Sequence, residues 1–470
     1  MPFIALALSL IFSAFLIVRD CYRRRRVVSV AIWIPTFLIM VLCSRPVSLW
    51  VTGHGATLGI ENANELSASP IDQFFFLFIL GSSFIVVLSR KVRWSSIFTA
   101  NGAIMLFYLY FAVSILWSSD PTGSTKRLIK DFGMILPIAV VFTERSPFEA
   151  MRAVYLRCAY LLLPLSLVFI KYFPGLGRSY GRGGEMTLTG VTTQKNSLGE
   201  IVLIFTLFLF WDFLESRPPG ARFKITKLPW EMFPLLLLAI DLLKISQSKS
   251  GLLCTLVGLF LLMRSRLMAS SLVNRVFLFG ALTLPPLVFF SGRFSEVITP
   301  FLHAIGRDAT FTGRSEIWNH VNLDTVNPFI GAGYWNFWGG PGGFNFNLAI
   351  KEVIPNAHNG YVDMYLDGGF IGLIILYVML IRCGSRMSRY IRATRTLDRY
   401  QRIRFGFLIA AIIYNLSESS FARIGPLWVT TLMMILDYPF KTAPAAVPPA
   451  QMKQTMLTPP AHSQAVAAGR

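Results

Sequence analysis

Residues 355–360 read Pro-Asn-Ala-His-Asn-Gly and lie near the end of a long polar stretch, Ser291–Gly369. This stretch is the longest part of the chain that is too polar to be embedded in a membrane. It contains three arginines and a histidine that are of interest: Arg293, Arg307, Arg314 and His358. The apolar runs on either side approach the ~20-residue length of a membrane span. We therefore expect these runs to form a membrane scaffold and the polar stretch to be the working surface that the scaffold presents.

The composition indicates the class of protein. The chain has 470 residues, of which 54% are hydrophobic and 14% are charged, and its mean hydropathy is +0.56. A soluble protein of this size carries about 25% charged residues. Apolar runs recur from end to end, so the sequence predicts an all-α, polytopic membrane protein with about 12–13 transmembrane helices and one large extracytoplasmic loop.

The basic residues predict the orientation of the chain. The formal net charge is +20, but Arg and Lys gather in short loops between apolar runs, as expected for cytoplasmic loops, so nucleic acid is not an expected partner. The predicted organisation has four parts: transmembrane helices with short loops (1–290), a large external loop with short helices (291–369), C-terminal transmembrane helices (370–440) and a disordered cytoplasmic tail (441–470). The last two apolar runs, Phe405–Leu416 and Leu427–Leu436, fit either full spans or a re-entrant pair.

Several cations remain on the predicted outer side, where the orientation rule should deplete them. They are Lys126, Arg127, Lys130, Lys171, Arg178, Arg182, Lys195, Lys249, Arg293, Arg307, Arg314 and Lys351. One explanation is an anionic ligand, because a guanidinium donates two parallel hydrogen bonds to a phosphate. The other is that these side chains reach lipid phosphates or keep the loops soluble.

The run Gly190–Gly199, GVTTQKNSLG, leads from a Gly-rich outer loop into a predicted span. A helix start presents unpaired backbone N–H groups and the positive end of the helix dipole, so Lys195 and Asn196 there predict a phosphate site. The alternative is a simple helix entry that is capped by Asn196 or Ser197.

His358 lies between Asn356 and Asn359. A neutral imidazole can accept a proton from a sugar hydroxyl, although a turn histidine that hydrogen-bonds to backbone fits the same pattern. A group of aromatic residues lies between Arg314 and His358: Tyr334, Trp335, Phe337, Trp338, Phe344 and Phe346. These rings fit either of two roles: stacking on the sugar rings of a ligand, or forming a belt of aromatic residues at the depth of the lipid headgroups.

Neither a metal nor a cofactor is expected. The five cysteines are scattered singly without metal-ligand spacing. No Asp-x-Asp pair and no P-loop occur, so Arg or Lys would have to neutralise a phosphate leaving group.

Taken together, these stretches resemble the O-antigen ligase and polymerase superfamily of bacterial envelope polysaccharide assembly. The residues that carry the resemblance are Gly190–Gly199, Ser246–Gly251 (SQSKSG), Gly313–Trp318 (GRSEIW), Asn327–Gly333 (NPFIGAG), Ala357–Tyr361 (AHNGY) and Asp367–Gly372 (DGGFIG). The Gly190 motif is more similar to members tied to exopolysaccharide production, including those of rhizobia, than to enterobacterial ligases.

The resemblance implies a bacterial inner-membrane protein with a periplasmic active face. Its donor would be an undecaprenyl-diphosphate-linked glycan, its acceptor another glycan or lipid A-core sugar, and its surroundings membrane lipids. Ligase and polymerase activities both fit. A polysaccharide transporter or flippase is the alternative from another class; it would need paired ionisable residues within spans, for which Asp241 and Lys244 are the candidates.

The resemblance also assigns roles to residues. Catalytic roles would fall to His358, Arg182 and Arg314, and binding of diphosphate and glycan to Arg178, Lys195, Asn196, Lys249 and Asn359. Arg178 is a rival of Arg182 for the arginine ahead of the Lys-Asn pair, and Asp367 stands where many relatives have Glu. In the implied reaction, cations stabilise the departing lipid diphosphate and His358 orients or deprotonates the acceptor.

Overall fold

The structure is a computed structural model. It describes residues 1–52, 69–90, 92–180, 184–215, 232–263, 326–350, 354–393 and 399–438, together with a few single residues between 270 and 317. Five of the cations named above, and the predicted C-terminal tail (441–470), lie outside the described residues. The five cations are Arg182, Arg293, Arg307, Arg314 and Lys351.

The described chain is almost entirely helical. The helices up to the first strand are α1 (Pro2–Arg24), α2 (Trp33–Leu42), α3 (Val47–Thr52), α4 (Pro70–Ser89), α5 (Trp94–Ala100), α6 (Gly102–Ser114), α7 (Pro121–Gly133), α8 (Ile135–Phe142), α9 (Pro147–Tyr172) and α10 (Pro174–Gly177). A short antiparallel hairpin follows, β1 (Arg178–Tyr180) and β2 (Met186–Leu188), with Ser179 opposite Thr187. The remaining helices are α11 (Lys195–Glu215), α12 (Met232–Ile245), α13 (Lys249–Met263), α14 (Pro341–Ile350), α15 (Gly360–Ala393), α16 (Arg399–Tyr414) and α17 (Pro426–Ile435).

Five of the described helices are long and apolar enough to cross a membrane: α1, α4, α9, α11 and α15. The bent pair α5 and α6 would make a sixth, and Val30–Leu42, α13 and α17 are shorter apolar helices. The prediction of an all-α, multi-pass membrane protein is therefore confirmed, whereas the total of about 12–13 spans stays a prediction.

The most buried helices form the centre of the bundle. In α9 and α11, 89% and 78% of the apolar window is buried, against 11% in α1. Tyr155 of α9 stacks on Phe208 of α11 with ring centroids 3.8 Å apart, and its hydroxyl donates to Thr430 of α17 at 2.9 Å. Since no polar partner is available in lipid, such paired hydroxyls belong between helices.

Helix α15 is broken at Gly369, where φ is +61°. The break leaves the N–H groups of Phe370 and Ile371 without partners in their own helix. They donate instead to the carbonyls of Pro328 (2.8 Å) and Phe329 (3.0 Å). A backbone N–H near the membrane must be satisfied within the protein, so the motif 327–333 docks against the motif 367–372.

A network of ion pairs occupies the end of the bundle where α1 and α11 finish and α9 begins. Its members are Asp20, Arg24, Glu149, Arg152, Arg157 and Asp212. The three acidic and three basic groups balance, and most are buried. Buried charges are tolerated when they are paired in this way. The polar groups described next lie at the opposite end.

Candidate active site

The loop between α16 and α17, residues 415–425, is the structural centre of the candidate site. Asn415 shapes it: its side-chain oxygen accepts from the backbone N–H groups of Ser420 (2.9 Å) and Phe421 (3.0 Å). Its amide nitrogen donates to the Ala411 carbonyl at 2.8 Å. A buried amide with all these partners holds the loop in one conformation.

Two helices begin against this loop. The first N–H of α15, from Gly360, donates to the carbonyls of Asn415 (2.9 Å) and Glu418 (3.1 Å). A side chain at Gly360 would overlap the Asn415 amide, so this close approach needs glycine. At the start of α13, the Ser250 hydroxyl lies 2.7 Å from the Ser417 hydroxyl.

Two further helices begin beside it. The N–H of Leu427, in the first turn of α17, donates to the Glu200 carboxylate in the second turn of α11 at 2.9 Å. The Tyr414 hydroxyl donates to the carbonyl of Asn196, in the first turn of α11, at 3.4 Å. The N-termini of α11, α13, α15 and α17 therefore gather around one loop, and each brings the positive end of a helix dipole.

Lys195 and Lys249 are the first residues of α11 and α13. A cation at a helix N-terminus is unfavourable by about 0.3–1 kcal/mol, because it faces the positive end of the dipole. The two helix starts pack together: a side chain at Gly199 would overlap Ser248. The two lysines thus add positive potential where the helix ends already supply it, which suits an anionic ligand.

His358 is held in a tight turn just before α15. Its φ is +49°, a left-handed conformation that is uncommon for a residue with a side chain. Its N–H donates to the Asn356 side chain at 2.9 Å, and the N–H of Ala357 donates to Asp363 at 3.0 Å. Asn359 caps α15 by accepting from Tyr361 at 3.0 Å and Val362 at 3.3 Å.

The imidazole of His358 is partly exposed and has a carboxylate beside it. Nδ1 of His358 lies 3.3 Å from Oε2 of Glu418, and the side chains are 31% and 10% exposed. The partner is therefore largely buried while the imidazole remains open to solvent. Such an imidazole can take up a proton from an approaching hydroxyl.

Left-handed backbone at non-glycine residues concentrates in this region. In the described part of the chain it occurs at four positions: Gln247, Trp335, His358 and Ala422. Gln247 precedes α13, Ala422 lies in the 415–425 loop, and the Trp335 ring lies 4.6 Å from the Arg423 guanidinium carbon. Strained backbone of this kind persists when its surroundings over-determine it, and it clusters at functional sites.

Arg423 ties the 415–425 loop to α15. Its guanidinium donates to Asp367 at 2.9 Å and lies 3.9 Å from Asp363. Asp367 also accepts from the N–H groups of Asn336 (3.2 Å) and Phe337 (3.1 Å). This arginine is engaged by carboxylates, so its role is to hold the site together.

Arg45 organises the loop that carries the Gly190 motif. It is 1% exposed and donates to the carbonyls of Val191 (3.2 Å), Gly190 (3.2 Å) and Thr192 (3.1 Å), and also to that of Leu176. Burial lowers its pKa to about 10, so the guanidinium remains charged at neutral pH. One buried cation thereby fixes the approach of the chain to Lys195.

Five of the predicted site residues come together around the 415–425 loop: Lys195, Asn196, Lys249, His358 and Asn359. Arg178 lies in β1, where it donates to the Ile170 carbonyl at 3.0 Å. Arg182 and Arg314 lie outside the described residues, so their assignment stays a prediction. Four members of the aromatic group are buried: Tyr334, Trp335, Phe337 and Phe346. They pack inside the protein, a role that differs from both sugar stacking and an interfacial belt.

The sequence reasoning missed Glu418, Asn415, Arg423, Arg45 and Glu200. The first three fall in one polar segment, NLSESSFAR, between two apolar runs. Charges in so short a connection between apolar runs are a signal that could have marked it as functional.

Comparison with known proteins shows what part of the chain is similar to. Residues 234–377 match the sequence profile of a family described as O-antigen ligase. The match includes α12, α13 and the start of α15, and with them Lys249 and His358. The resemblance inferred from the motifs is thereby confirmed: part of this multi-pass membrane protein, residues 234–377, is similar to the O-antigen ligase family.

One curated relative is more specific. The chain is similar to the exopolysaccharide production protein ExoQ of Rhizobium meliloti (strain 1021), with 24% identity over 295 residues. The aligned part is 59% of this chain and 63% of that protein, so the chain spans less than two thirds of the relative's length. The similarity to rhizobial exopolysaccharide proteins is confirmed.

Proposed function

We propose that the protein transfers glycan from an undecaprenyl-diphosphate carrier to a sugar hydroxyl at the periplasmic face of the inner membrane. The observation that carries the proposal is the meeting of His358 with the lysine-bearing N-termini of α11 and α13 around one loop. A base and an anion-attracting surface are the two parts that such a transfer needs. The Rhizobium meliloti relative is described as an exopolysaccharide production protein, which supports an exopolysaccharide as the product.

In the proposed reaction the acceptor oxygen attacks the anomeric carbon of the carrier-linked sugar. The new C–O bond forms as the bond to the diphosphate breaks, and its electron pair leaves with the diphosphate. The proton of the acceptor hydroxyl passes to Nε2 of His358. Lys195 and Lys249 stabilise the charge that grows on the diphosphate, and Arg182 and Arg314 are proposed to join them.

The decisive experiment is transfer by the purified protein in lipid nanodiscs, with a lipid-diphosphate glycan as the sole donor and no nucleotide. The proposal expects a longer or newly attached glycan and a free lipid diphosphate, with the same yield when EDTA is present. A preparation that folds and yet leaves the donor unchanged with every glycan acceptor would contradict it.

Deleting the gene distinguishes the two forms of the activity. A polymerase predicts that single repeat units accumulate and chain length is lost. A ligase predicts long carrier-linked chains and an uncapped acceptor. The transporter alternative predicts translocation of intact carrier-linked glycan in proteoliposomes; the ionisable pair named for it, Asp241 and Lys244, is exposed on α12, and nothing described here favours it.

A further inference from the structure

Glu418 is the carboxylate closest to the proposed base among the contacts of His358. It belongs to the 415–425 loop, whereas His358 precedes α15, so sequence spacing does not suggest the pair. Oε2 of Glu418 lies 3.3 Å from Nδ1 of His358, which is the ring nitrogen nearer to the backbone. The other ring nitrogen, Nε2, is left for the acceptor.

The backbone holds these two residues at a fixed separation. The N–H of Gly360, two residues after His358, donates to the carbonyl of Glu418 itself at 3.1 Å. The same N–H also donates to the carbonyl of Asn415, whose side chain fixes the rest of the loop. The two backbones are therefore joined beside the pair, and only rotation of a side chain separates the imidazole from the carboxylate while this junction is intact.

The surrounding charged groups have other partners or positions. On α15, Asp363 and Asp367 face Arg423 of the loop. On α11, Glu200 accepts from the N–H of Leu427. Among the described residues, Lys195 and Lys249 also bring charge to this end of the bundle, at the starts of α11 and α13. Glu418 is thus the carboxylate that the geometry assigns to the imidazole.

We propose that Glu418 is a positioning residue that fixes the tautomer and orientation of His358. This inference rests on the function proposed above. With Nδ1–H donating to the carboxylate, Nε2 carries the lone pair that accepts the proton of the acceptor hydroxyl. Glu418 takes no proton; it stabilises the imidazolium that forms when the C–O bond to the diphosphate breaks.

The main test is the pH–rate profile of glycan transfer for the wild type and for Glu418→Gln. The glutamine side chain keeps the shape and an acceptor oxygen but removes the charge. A carboxylate favours the protonated imidazole, so its loss moves the acidic limb of the profile to lower pH. The plateau rate falls by roughly 10–100-fold, the loss that follows when the hydrogen-bond partner of a metal-bound histidine is removed.

Two further variants separate positioning from a purely structural role. Glu418→Asp keeps the charge and leaves the acidic limb near its original pH even if the plateau rate falls. Glu185→Gln removes an exposed carboxylate from the loop before β2 and leaves both the limb and the plateau unchanged. A Glu418→Gln enzyme whose plateau falls while its acidic limb stays in place would overturn the inference.

The tautomer of His358 can be observed by spectroscopy, without an activity assay. The protein contains five histidines, which can be labelled for nitrogen-15 NMR in bilayers. The signal of His358 is the one that disappears in the His358→Asn variant. The inference expects the Nδ1–H tautomer in the wild type and its loss in Glu418→Ala. The same tautomer in both proteins overturns it. An inactive wild type that shows the expected tautomer contradicts the proposed function alone.

Discussion

The left-handed backbone at His358 makes one substitution at this position unusually informative. Asparagine tolerates left-handed φ better than most residues, so His358→Asn keeps the turn while it removes the imidazole. We expect a folded protein whose transfer rate is lower by about 10²–10⁴-fold, the range in which general-base catalysis contributes. The measurement is initial rate in nanodiscs, alongside the thermal unfolding midpoint.

The control for this variant is His358→Gly, which relieves the backbone strain entirely. It should be at least as stable as the wild type and equally inactive. Substantial transfer by either variant would remove His358 from the chemistry. Loss of the folded state in both would show that the imidazole holds the turn.

Arg45 offers a second prediction at the scale of a single residue. A lysine at this position cannot reach four carbonyls from one ammonium, and each buried carbonyl left without a donor costs roughly 1–3 kcal/mol. Arg45→Lys should therefore lower the midpoint of thermal unfolding and speed proteolysis within the loop before α11. The matched control is Arg178→Lys, because Arg178 is a half-buried arginine in β1 of the same α10–α11 connection and donates to one backbone carbonyl. Little change is expected for this variant.

At the scale of elements, helices α11 and α13 each begin with a lysine. We expect these lysines to lower the stability of the fold while they raise the rate of transfer. Replacing Lys195 or Lys249 by glutamine removes a cation from the positive end of a helix dipole. Each variant should unfold at the same or a slightly higher temperature. Each should transfer glycan about tenfold more slowly or worse, because a donor to the developing charge is lost.

The comparison needs a lysine at the same end of the bundle that does not begin a helix. Lys171, exposed in the last turn of α9, serves for this purpose. Lys171→Gln should leave the transfer rate unchanged. Equal losses in all three variants would indicate a general effect of surface charge on the lipid substrate.

Asp131 links three elements and predicts a pH dependence of stability. It lies in α7, is fully buried, and accepts from Tyr334 and from Trp428 of α17, both at 2.8 Å. Burial raises its pKa from 3.8 to about 6. Between these values the unfolded chain has lost the proton while the folded protein keeps it, so this group's contribution to stability falls as the pH rises from about 4 to 6.

The test compares thermal unfolding of the wild type and Asp131→Asn at several pH values in one detergent. The stability of the wild type relative to the variant should decrease from pH 4 to pH 6 and then remain constant. Taking the difference cancels the other titrating groups. A difference that does not vary with pH would place the titration of Asp131 outside this range.

The elements also show what could be predicted from sequence. That helices begin near Lys195 and Lys249 follows from composition, because apolar runs of this length in a membrane must be helical; the structure starts both helices two or three residues earlier than the apolar runs do. The break at Gly369 was visible only as a glycine pair, since its cause is a segment that arrives from residues 328–333. Arg45 and Glu418 find their partners across long sequence separations, and no local pattern records such contacts.

At the scale of the whole molecule, the two ends of the helix bundle differ in character. One end carries the balanced network around Arg24 and Arg152, and the other carries His358 and the lysine-headed helices. The positive-inside rule predicts that the first end faces the cytoplasm. The proposed reaction requires the second end to face the periplasm.

Cysteine labelling tests this orientation. Four of the native cysteines are buried and Cys21 is partly exposed. We therefore expect the Cys21→Ser protein to react little with maleimide before new cysteines are introduced. Cysteines at the exposed positions Lys249 and Phe344 should react with an impermeant maleimide on spheroplasts. Cysteines at Arg26 and Arg389 should react only after the membrane is permeabilised. The reverse pattern would end the assignment of the site to the periplasmic face.

The pairing of residues 328–333 with 366–371 has a further consequence for how this architecture can diversify. These hydrogen bonds hold together the two ends of the intervening stretch of chain, which includes α14. Exposed residues of α14, such as Phe344 and Leu348, can be exchanged without altering the paired ends or the break in α15. We expect acceptor preference to be exchangeable between relatives as a cassette, while the carrier-binding machinery stays the same.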